Sequence, residues 1–179
     1  ITMKRSDFLN RTILNRFQVH EFIGRGGMAD VYKVWDNQMA VFLAMKVLRE
    51  ELAEDIVFLR RFTREARNLE KLQHPHIVRY FGLEHNFEMA AMFMDFIDGT
   101  TLRKEIFQNR KPMPYETMLE IVRPVCSALH FAHQQGLVHC DLKPGNVMIH
   151  KNGTVFVTDF GIARMTDSAT STMVGTGTP

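Results

Sequence analysis

The residues with the clearest chemical potential lie in one run in the second half of the chain, residues 138–149. Asp141 is followed by Lys143 two residues later and by Asn146 five residues later. A carboxylate can accept the proton of a hydroxyl group, a lysine can neutralise a phosphate, and an amide oxygen can bind Mg²⁺. At this spacing the three side chains can converge on one polar cleft. The run therefore indicates chemistry on a phosphate-bearing substrate.

A second oxygen ligand follows this run. Asp159 comes thirteen residues after Asn146 and is followed by Phe160 and Gly161, which predict a turn. Because Mg²⁺ takes a few such protein ligands together with substrate phosphate, Asn146 and Asp159 are a candidate metal pair.

A glycine turn in the first half is a candidate phosphate site. Gly24, Arg25, Gly26 and Gly27 lie between two predicted strands. Glycines let backbone N–H groups approach a phosphate closely, although many glycine turns have no ligand. A dinucleotide site would place a helix after the glycines, whereas here a strand follows.

One lysine lies on an apolar predicted strand. Lys46 follows Ala44 and Met45, and Glu65 on the next predicted helix is its candidate partner. From these residues alone, the better explanation of Lys46 is an outward-facing lysine of an edge strand, and Glu65 is equally well explained as part of a solvated helix face.

The elements that would position these residues fall into two groups. Hydrophobic periodicity and turn residues predict strands at 17–22, 31–35 and 41–48, a helix at 54–72, and strands at 77–83 and 89–97. After a break at Asp98 and Gly99, they predict a helix at 117–135 that Pro124 bends and Gly136 ends, strands at 147–149 and 155–158, and a polar loop at 166–179. The order predicts an α+β fold with two lobes.

Composition excludes several classes of protein. The net charge of +2 is too small to make nucleic acid or a membrane surface the main partner. No apolar run is long enough to span a membrane. Two cysteines, Cys126 and Cys140, cannot form a disulfide framework and fit a cytoplasmic setting.

These motifs together resemble the protein kinase family. The matching elements are the glycine turn with Gly24, Gly26 and Val31, the strand lysine Lys46, the loop from His139 to Asn146, and the turn at Asp159. Ala29 replaces the third glycine of the family pattern. Details of the motifs are most similar to bacterial serine/threonine kinases, and Lys143 fits the serine/threonine branch. The resemblance implies a bilobal kinase fold, with a small antiparallel-sheet lobe and an incomplete, mainly helical lobe.

The resemblance also implies roles in phosphate transfer from ATP with Mg²⁺ to serine or threonine hydroxyls of proteins. Lys46 would hold the α- and β-phosphates and pair with Glu65. Asp141 would be the catalytic base or orient the substrate hydroxyl, and Lys143 would contact the γ-phosphate. His139 is expected to be a packed histidine rather than a general base.

The same resemblance implies nucleotide contacts and domain limits. The nucleotide-binding set is expected to comprise Ile23, Gly24, Arg25, Gly26, Gly27, Val31, Ala44, Lys46, Met94, Asp95, Ile97, Met148 and Asp159. For its apolar members, plain core packing is nearly as good an explanation. The implied ranges are a lead-in at 1–15, an N-terminal lobe at 16–94, a hinge at 95–99 and part of the C-terminal lobe at 100–179.

The sequence departs from the family pattern at two places. Cys140 stands where many kinases have an arginine that pairs with a phosphate on the activation segment, so we expect activity to depend weakly on that phosphorylation. The expected autophosphorylation sites are Thr170, Ser171 and Thr172, although a polar, mobile loop explains these residues about as well. The family domain continues beyond residue 179, so we expect the 179-residue piece alone to be unstable or inactive.

Two other functions remain open from sequence. A nucleotide-binding or scaffolding module would bind ATP without useful catalysis. A small-molecule kinase of the aminoglycoside type also uses a His-x-Asp loop with a later Asn, although Lys143 and the turn at Asp159 argue against it.

Overall fold

The computed structural model describes residues 8–86, 89–108 and 112–160, apart from the side chains of Arg61 and Glu65. These residues form two compact units. The first contains the residues up to Glu70 and Tyr80–Phe96, and the second contains Lys71–Arg79 and the residues from Ile97 onward.

The first unit is built on a six-stranded antiparallel sheet. Its strands are β1 Thr12–Ile13, β2 Phe17–Arg25, β3 Ala29–Asp36, β4 Val41–Leu48, β5 Tyr80–His85 and β6 Ala90–Asp95, in the order β1-β2-β3-β4-β6-β5. Burial alternates along the middle of β3, where Tyr32 and Val34 are buried and Lys33 is half-buried. This period of two is what a strand requires.

Two helices follow β4, namely α1 Glu50–Ala53 and α2 Ile56–Leu69. Asp55 caps α2, because its carboxylate accepts hydrogen bonds from the N–H groups of Val57 and Phe58 at 2.8 and 3.0 Å. The buried residues of α2 recur at helical spacing and include Phe58, Phe62, Ala66 and Leu69.

The residues before Phe17 take part in the first unit. Phe8 is buried against Tyr32, with their ring centroids 5.6 Å apart, and β1 pairs with β2. The range predicted as a lead-in at 1–15 therefore contributes a core side chain and a strand, which its polar composition did not indicate.

The second unit contains helices and a small sheet. Its elements are β7 Gly99–Thr101, α3 Leu102–Gln108, α4 Tyr115–Gln134, a 3-10 turn Pro144–Asn146, β8 Val147–His150 and β9 Val155–Val157. The sheet has the order β7-β8-β9 with antiparallel pairing. α4 continues through Pro124, and Gly136 follows its end with φ +74°. The α+β prediction is confirmed, whereas α3 and β7 were not predicted.

The segment 71–79 lies with the second unit, although the predicted lobe range 16–94 includes it. Ile77 bridges to Val157, and the N–H of Val78 donates to the Val157 carbonyl at 3.0 Å. The strand predicted at 77–83 therefore begins only at Tyr80.

Among the helices that the structure describes, none combines the length and the apolar character needed to cross a membrane.

Candidate active site

Three of the predicted catalytic side chains meet around one carboxylate. Lys143 Nζ lies 2.6 Å from Asp141 Oδ2. Asn146 Nδ2 donates to the Asp141 carbonyl at 2.8 Å and is 3.2 Å from Asp141 Oδ2. The structure therefore brings together the three residues that sequence spacing predicted to converge.

Local backbone structure sets this arrangement. The 3-10 turn Pro144–Asn146 reverses the chain, and the N–H of Asn146 donates to the Lys143 carbonyl at 2.9 Å. The Asn146 carbonyl in turn accepts a hydrogen bond from the N–H of Thr158 at 3.0 Å. Asn146 is thus fixed from both sides and is buried, while Asp141 and Lys143 keep access to solvent.

His139 is a packed residue that supports this loop. Its Nδ1 accepts from the N–H of Asp141 at 3.2 Å, and its Nε2 lies 2.8 Å from the Thr158 carbonyl. Since Nδ1 accepts and a carbonyl cannot donate, these contacts place a ring proton on Nε2. Both nitrogens are occupied and the side chain is buried, so His139 has no nitrogen to serve as a base.

Asp159 follows directly on the residue that His139 contacts. Its backbone has φ +62°, a left-handed conformation that aspartate tolerates better than most residues. Phe160 is fully buried, with its ring centroid 4.6 Å from that of His139. Gly161 lies outside the described residues.

The electrostatics around Asp141 favour its ionised form. The hydrogen bond from Lys143 lowers the pKa of the Asp141 carboxyl below its ordinary value, and Asn146 adds to the effect. Asp141 is therefore a carboxylate at neutral pH.

The first unit places a second set of predicted residues on neighbouring strands. Val31 on β3 is directly opposite Lys46 on β4, and Ala44 is opposite Met94 on β6. Ala44 and Met94 are buried, whereas Val31 and Lys46 are half-buried. Strand register thus places these four residues on three neighbouring strands. The sequence had grouped them only through the resemblance to the kinase family.

The glycine turn joins β2 to β3. The N–H of Gly26 donates to the Ala29 carbonyl at 2.8 Å, and a Cβ on Gly26 would lie 3.2 Å from that oxygen. At Gly24 and Gly27 an added Cβ would meet no atom within 4 Å. Packing within the described chain therefore explains the glycine at 26 better than those at 24 and 27.

The other predicted nucleotide contacts lie on separate elements of the chain. Ile23 is exposed, with 47% of its surface accessible, beside a register shift in the β2–β3 pairing. Asp95 ends β6, Ile97 is buried and Met148 lies on β8. Glu65 lies in α2, but its side chain is outside the described part. Thr170, Ser171 and Thr172 also lie outside it.

Cys140 is exposed and has φ +63°. Its Sγ donates only a long contact of 3.6 Å to the Val138 carbonyl. In the described residues, no group of three or more His, Cys, Asp or Glu side chains could hold a metal ion, so His139, Cys140 and Asp141 form no such cluster.

Sequence reasoning missed two arginine contacts at the glycine turn. Arg25 forms a two-pronged ion pair with Asp30 at 2.9 and 3.1 Å, and Arg49 donates to the Gly26 carbonyl at 3.0 Å. Both contacts depend on strand register, because the hairpin pairs Arg25 with Asp30 and β4 ends one residue before Arg49, and the sequence alone does not show that register.

Comparison with known proteins decides the family. The sequence model of the family described as 'Protein kinase domain' matches residues 17–179 of this chain. The chain belongs to the protein kinase family. This confirms the kinase fold, with its antiparallel-sheet unit and its incomplete helical part.

The chain is similar to bacterial serine/threonine kinases. It is 40% identical to PknB of Mycobacterium leprae over 88% of this chain and 26% of that protein, and 39% identical to PrkC of Bacillus subtilis over 92% and 25%. Among solved structures, the Mycobacterium tuberculosis PknI kinase domain has a TM-score of 0.76 at 32% identity, covering 86% of this chain and 62% of that one. The chain thus spans about a quarter of the length of these curated relatives.

Proposed function

We propose that this kinase domain transfers the γ-phosphate of ATP to serine and threonine hydroxyl groups of proteins. The observation that carries the proposal is the cluster of Asp141, Lys143 and Asn146, with donor–acceptor distances of 2.6 to 3.2 Å. The relatives named above as serine/threonine-protein kinases support the choice of acceptor.

In the proposed reaction, Asp141 accepts a hydrogen bond from the attacking hydroxyl and then its proton. Its lowered pKa makes it a weak base, so orienting the hydroxyl is its larger contribution. Lys143 balances the carboxylate before substrate binds, and its exposed ammonium is proposed to move onto the transferred phosphate. Phosphoryl transfer needs little covalent chemistry from the protein, so positioning and charge neutralisation dominate.

Asn146 and Asp159 are proposed as the Mg²⁺ ligands. The Asn146 NH₂ group donates to Asp141, and this leaves the amide oxygen as the atom that could bind the ion. An amide oxygen and a carboxylate are the hard ligands that this ion prefers, so the residues fit it. Mg²⁺, when bound, would neutralise phosphate charge.

The first unit is proposed to bind the phosphates. Lys46 would contact the α- and β-phosphates, with Glu65 as its partner, and the glycine turn would offer backbone N–H groups. The open space above Gly24 and Gly27 supports this, since a ligand there would explain glycines that protein packing does not require. Val31, Ala44 and Met94 are proposed to contact the adenine. Because ATP is the proposed donor, we propose the cytoplasm as the working compartment.

The direct test is Asp141→Asn in the full-length protein. The substitution keeps the shape and an oxygen acceptor for Lys143 but removes the proton acceptor. We expect kcat to fall by about 10²–10⁴-fold, with ATP affinity changed by less than about threefold. Steady-state kinetics and calorimetric ATP titration measure the two quantities.

Glu116→Gln is the matched control, since Glu116 is an exposed carboxylate in the first turn of α4. It should leave both quantities unchanged. Unaltered kcat in Asp141→Asn would refute the assignment of Asp141. A wild-type protein that binds Mg·ATP but transfers no phosphate would instead support the binding-module alternative.

A further inference from the structure

Arg49 is the first residue after β4, and its side chain reaches the glycine turn. Its Nη2 donates to the Gly26 carbonyl at 3.0 Å. Its backbone N–H donates to the Met28 carbonyl, also at 3.0 Å. One residue therefore holds a carbonyl oxygen near each end of the turn.

These contacts engage the carbonyl groups of the turn and leave amide groups available. The N–H of Gly26 donates to the Ala29 carbonyl at 2.8 Å. Within the described residues, the N–H groups of Gly27 and Met28 donate to no backbone carbonyl. A turn whose carbonyls are bound by an arginine and whose amides remain available is suited to an anion.

Arg49 also joins this turn to the strand that carries Lys46. Leu48 is directly opposite Ala29, and Lys46 is directly opposite Val31, so β4 runs alongside the strand that leaves the turn. Lys46 is three residues before Arg49 on the same stretch of chain. Arg49 therefore fixes the distance between the two elements proposed to bind phosphate.

The Arg49 side chain contributes little to the stability of the fold. It is exposed and forms no ion pair within the described part of the chain, and isolated surface contacts of this kind contribute little to stability. A second exposed contact, the Arg25–Asp30 ion pair, closes the hairpin at the base of the same turn. Two arginines thus restrain a turn whose own packing is sparse.

We propose that Arg49 is a positioning residue, which holds the glycine turn at a set distance from Lys46 and so raises affinity for the phosphate groups of the nucleotide. The inference rests on the proposed function, because it takes ATP as the ligand of the turn. The inference predicts that replacing Arg49 weakens the binding of nucleotides that carry phosphate groups and leaves the binding of adenosine unchanged.

The test compares ATP, ADP and adenosine binding in Arg49→Met, Arg49→Lys and wild-type full-length protein, by calorimetric or competition titration. Losing a hydrogen bond from a charged donor at an exposed site should weaken ATP and ADP binding by about three- to tenfold. Adenosine affinity should stay unchanged. Arg49→Lys keeps a donor and should restore part of the affinity, and the KM for ATP should rise with kcat kept at saturating ATP.

Arg60→Met is the matched control, because Arg60 is an exposed arginine of the same unit on α2. It should match wild type with all three ligands. Equal weakening of adenosine and ATP in Arg49→Met would mean general damage and would overturn the inference, as would unchanged ATP affinity. If wild type itself does not bind ATP, the proposed function fails rather than the role of Arg49.

Discussion

At the scale of single residues, Asp141 is held by donors that keep it ionised and fix its direction. Because Lys143 lowers its pKa in the folded protein, the pair stabilises the fold at pH values above the ordinary carboxyl pKa. That contribution is lost as the pH falls through the lowered pKa. It is small, since both side chains are more than a third exposed.

Cys140 leads to a prediction about regulation. A neutral thiol cannot pair with a phosphate that carries about −1.5 to −2 charges, so treating the full-length protein with a phosphatase should change kcat by less than about threefold. In Cys140→Arg the new guanidinium can pair with such a phosphate, and the same treatment should then lower kcat by about tenfold or more. Kinetics before and after dephosphorylation measure both effects.

Cys126→Arg serves as the control, because Cys126 is an exposed thiol on α4. It should respond to phosphatase as wild type does. A wild-type protein that loses most of its activity on dephosphorylation would contradict the expected role of Cys140.

Sequence predicted the convergence of those candidate residues whose geometry is local. Asp141, Lys143 and Asn146 lie within one loop, so their spacing was enough to indicate that they converge. Arg49 and Gly26 are separated by 23 positions, and their contact depends on the register of β3 with β4. A single sequence does not show that register, so the contact could not be predicted.

At the scale of elements, an ion pair fastens the end of β3. Asp36 is fully buried and accepts two hydrogen bonds from Arg16, at 2.9 and 2.6 Å. It also accepts from the N–H groups of Gln38 and Met39 in the turn before β4. The carboxylate thus joins the chain before β2 to the β3–β4 hairpin.

We predict that Asp36→Ala lowers the free energy of unfolding of the kinase domain by about 3 kcal/mol. This is the lower end for a broken buried pair, because Arg16 stays partly exposed and can hydrate. Asp98→Ala removes the exposed Lys151–Asp98 pair and should cost less than about 1 kcal/mol. Urea titrations of the full-length protein compare the two. Equal losses would contradict this account of Asp36.

The same pair gives a pH dependence with a definite sign. The hydrogen bond from Arg16 lowers the pKa of Asp36 in the folded protein. Its stabilisation is therefore fully present above the ordinary carboxyl pKa of about 3.9 and is lost as the pH falls through the lowered value. The stability difference between wild type and Asp36→Ala should shrink over that acidic range.

Long, strongly patterned elements were predictable, and short ones were not. The predicted range of β4, 41–48, is the observed one, because its apolar run lies between the turn at 37–40 and the charged residues Arg49 and Glu50. β7 has three residues and begins at Gly99, where an added Cβ would clash with the Ile149 carbonyl. The sequence indicated a break at Gly99, whereas in the structure this residue must be glycine so that β7 can pair closely with β8.

At the scale of the whole molecule, the two units are not continuous in sequence. Residues 71–79 belong to the second unit, although residues 80–96, which follow them, belong to the first. His76 Nδ1 lies 2.9 Å from the Val155 carbonyl, and His74 Nε2 lies 3.1 Å from Ser127 Oγ. These contacts join residues 53 to 79 positions apart and draw the segment after α2 into the second unit. Local patterns carry no information about such pairings.

The proposed activity of this domain is phosphate transfer from ATP to serine and threonine. The most direct measurement supplies the full-length protein with ATP labelled at the γ-phosphate, together with a protein acceptor, and identifies the labelled amino acids. We predict labelled phosphoserine and phosphothreonine whose total amount equals the amount of ADP formed. Both labelled amino acids should be lost in Asp141→Asn. Label on tyrosine alone, or ADP formed with free phosphate and no phosphoprotein, would contradict the account.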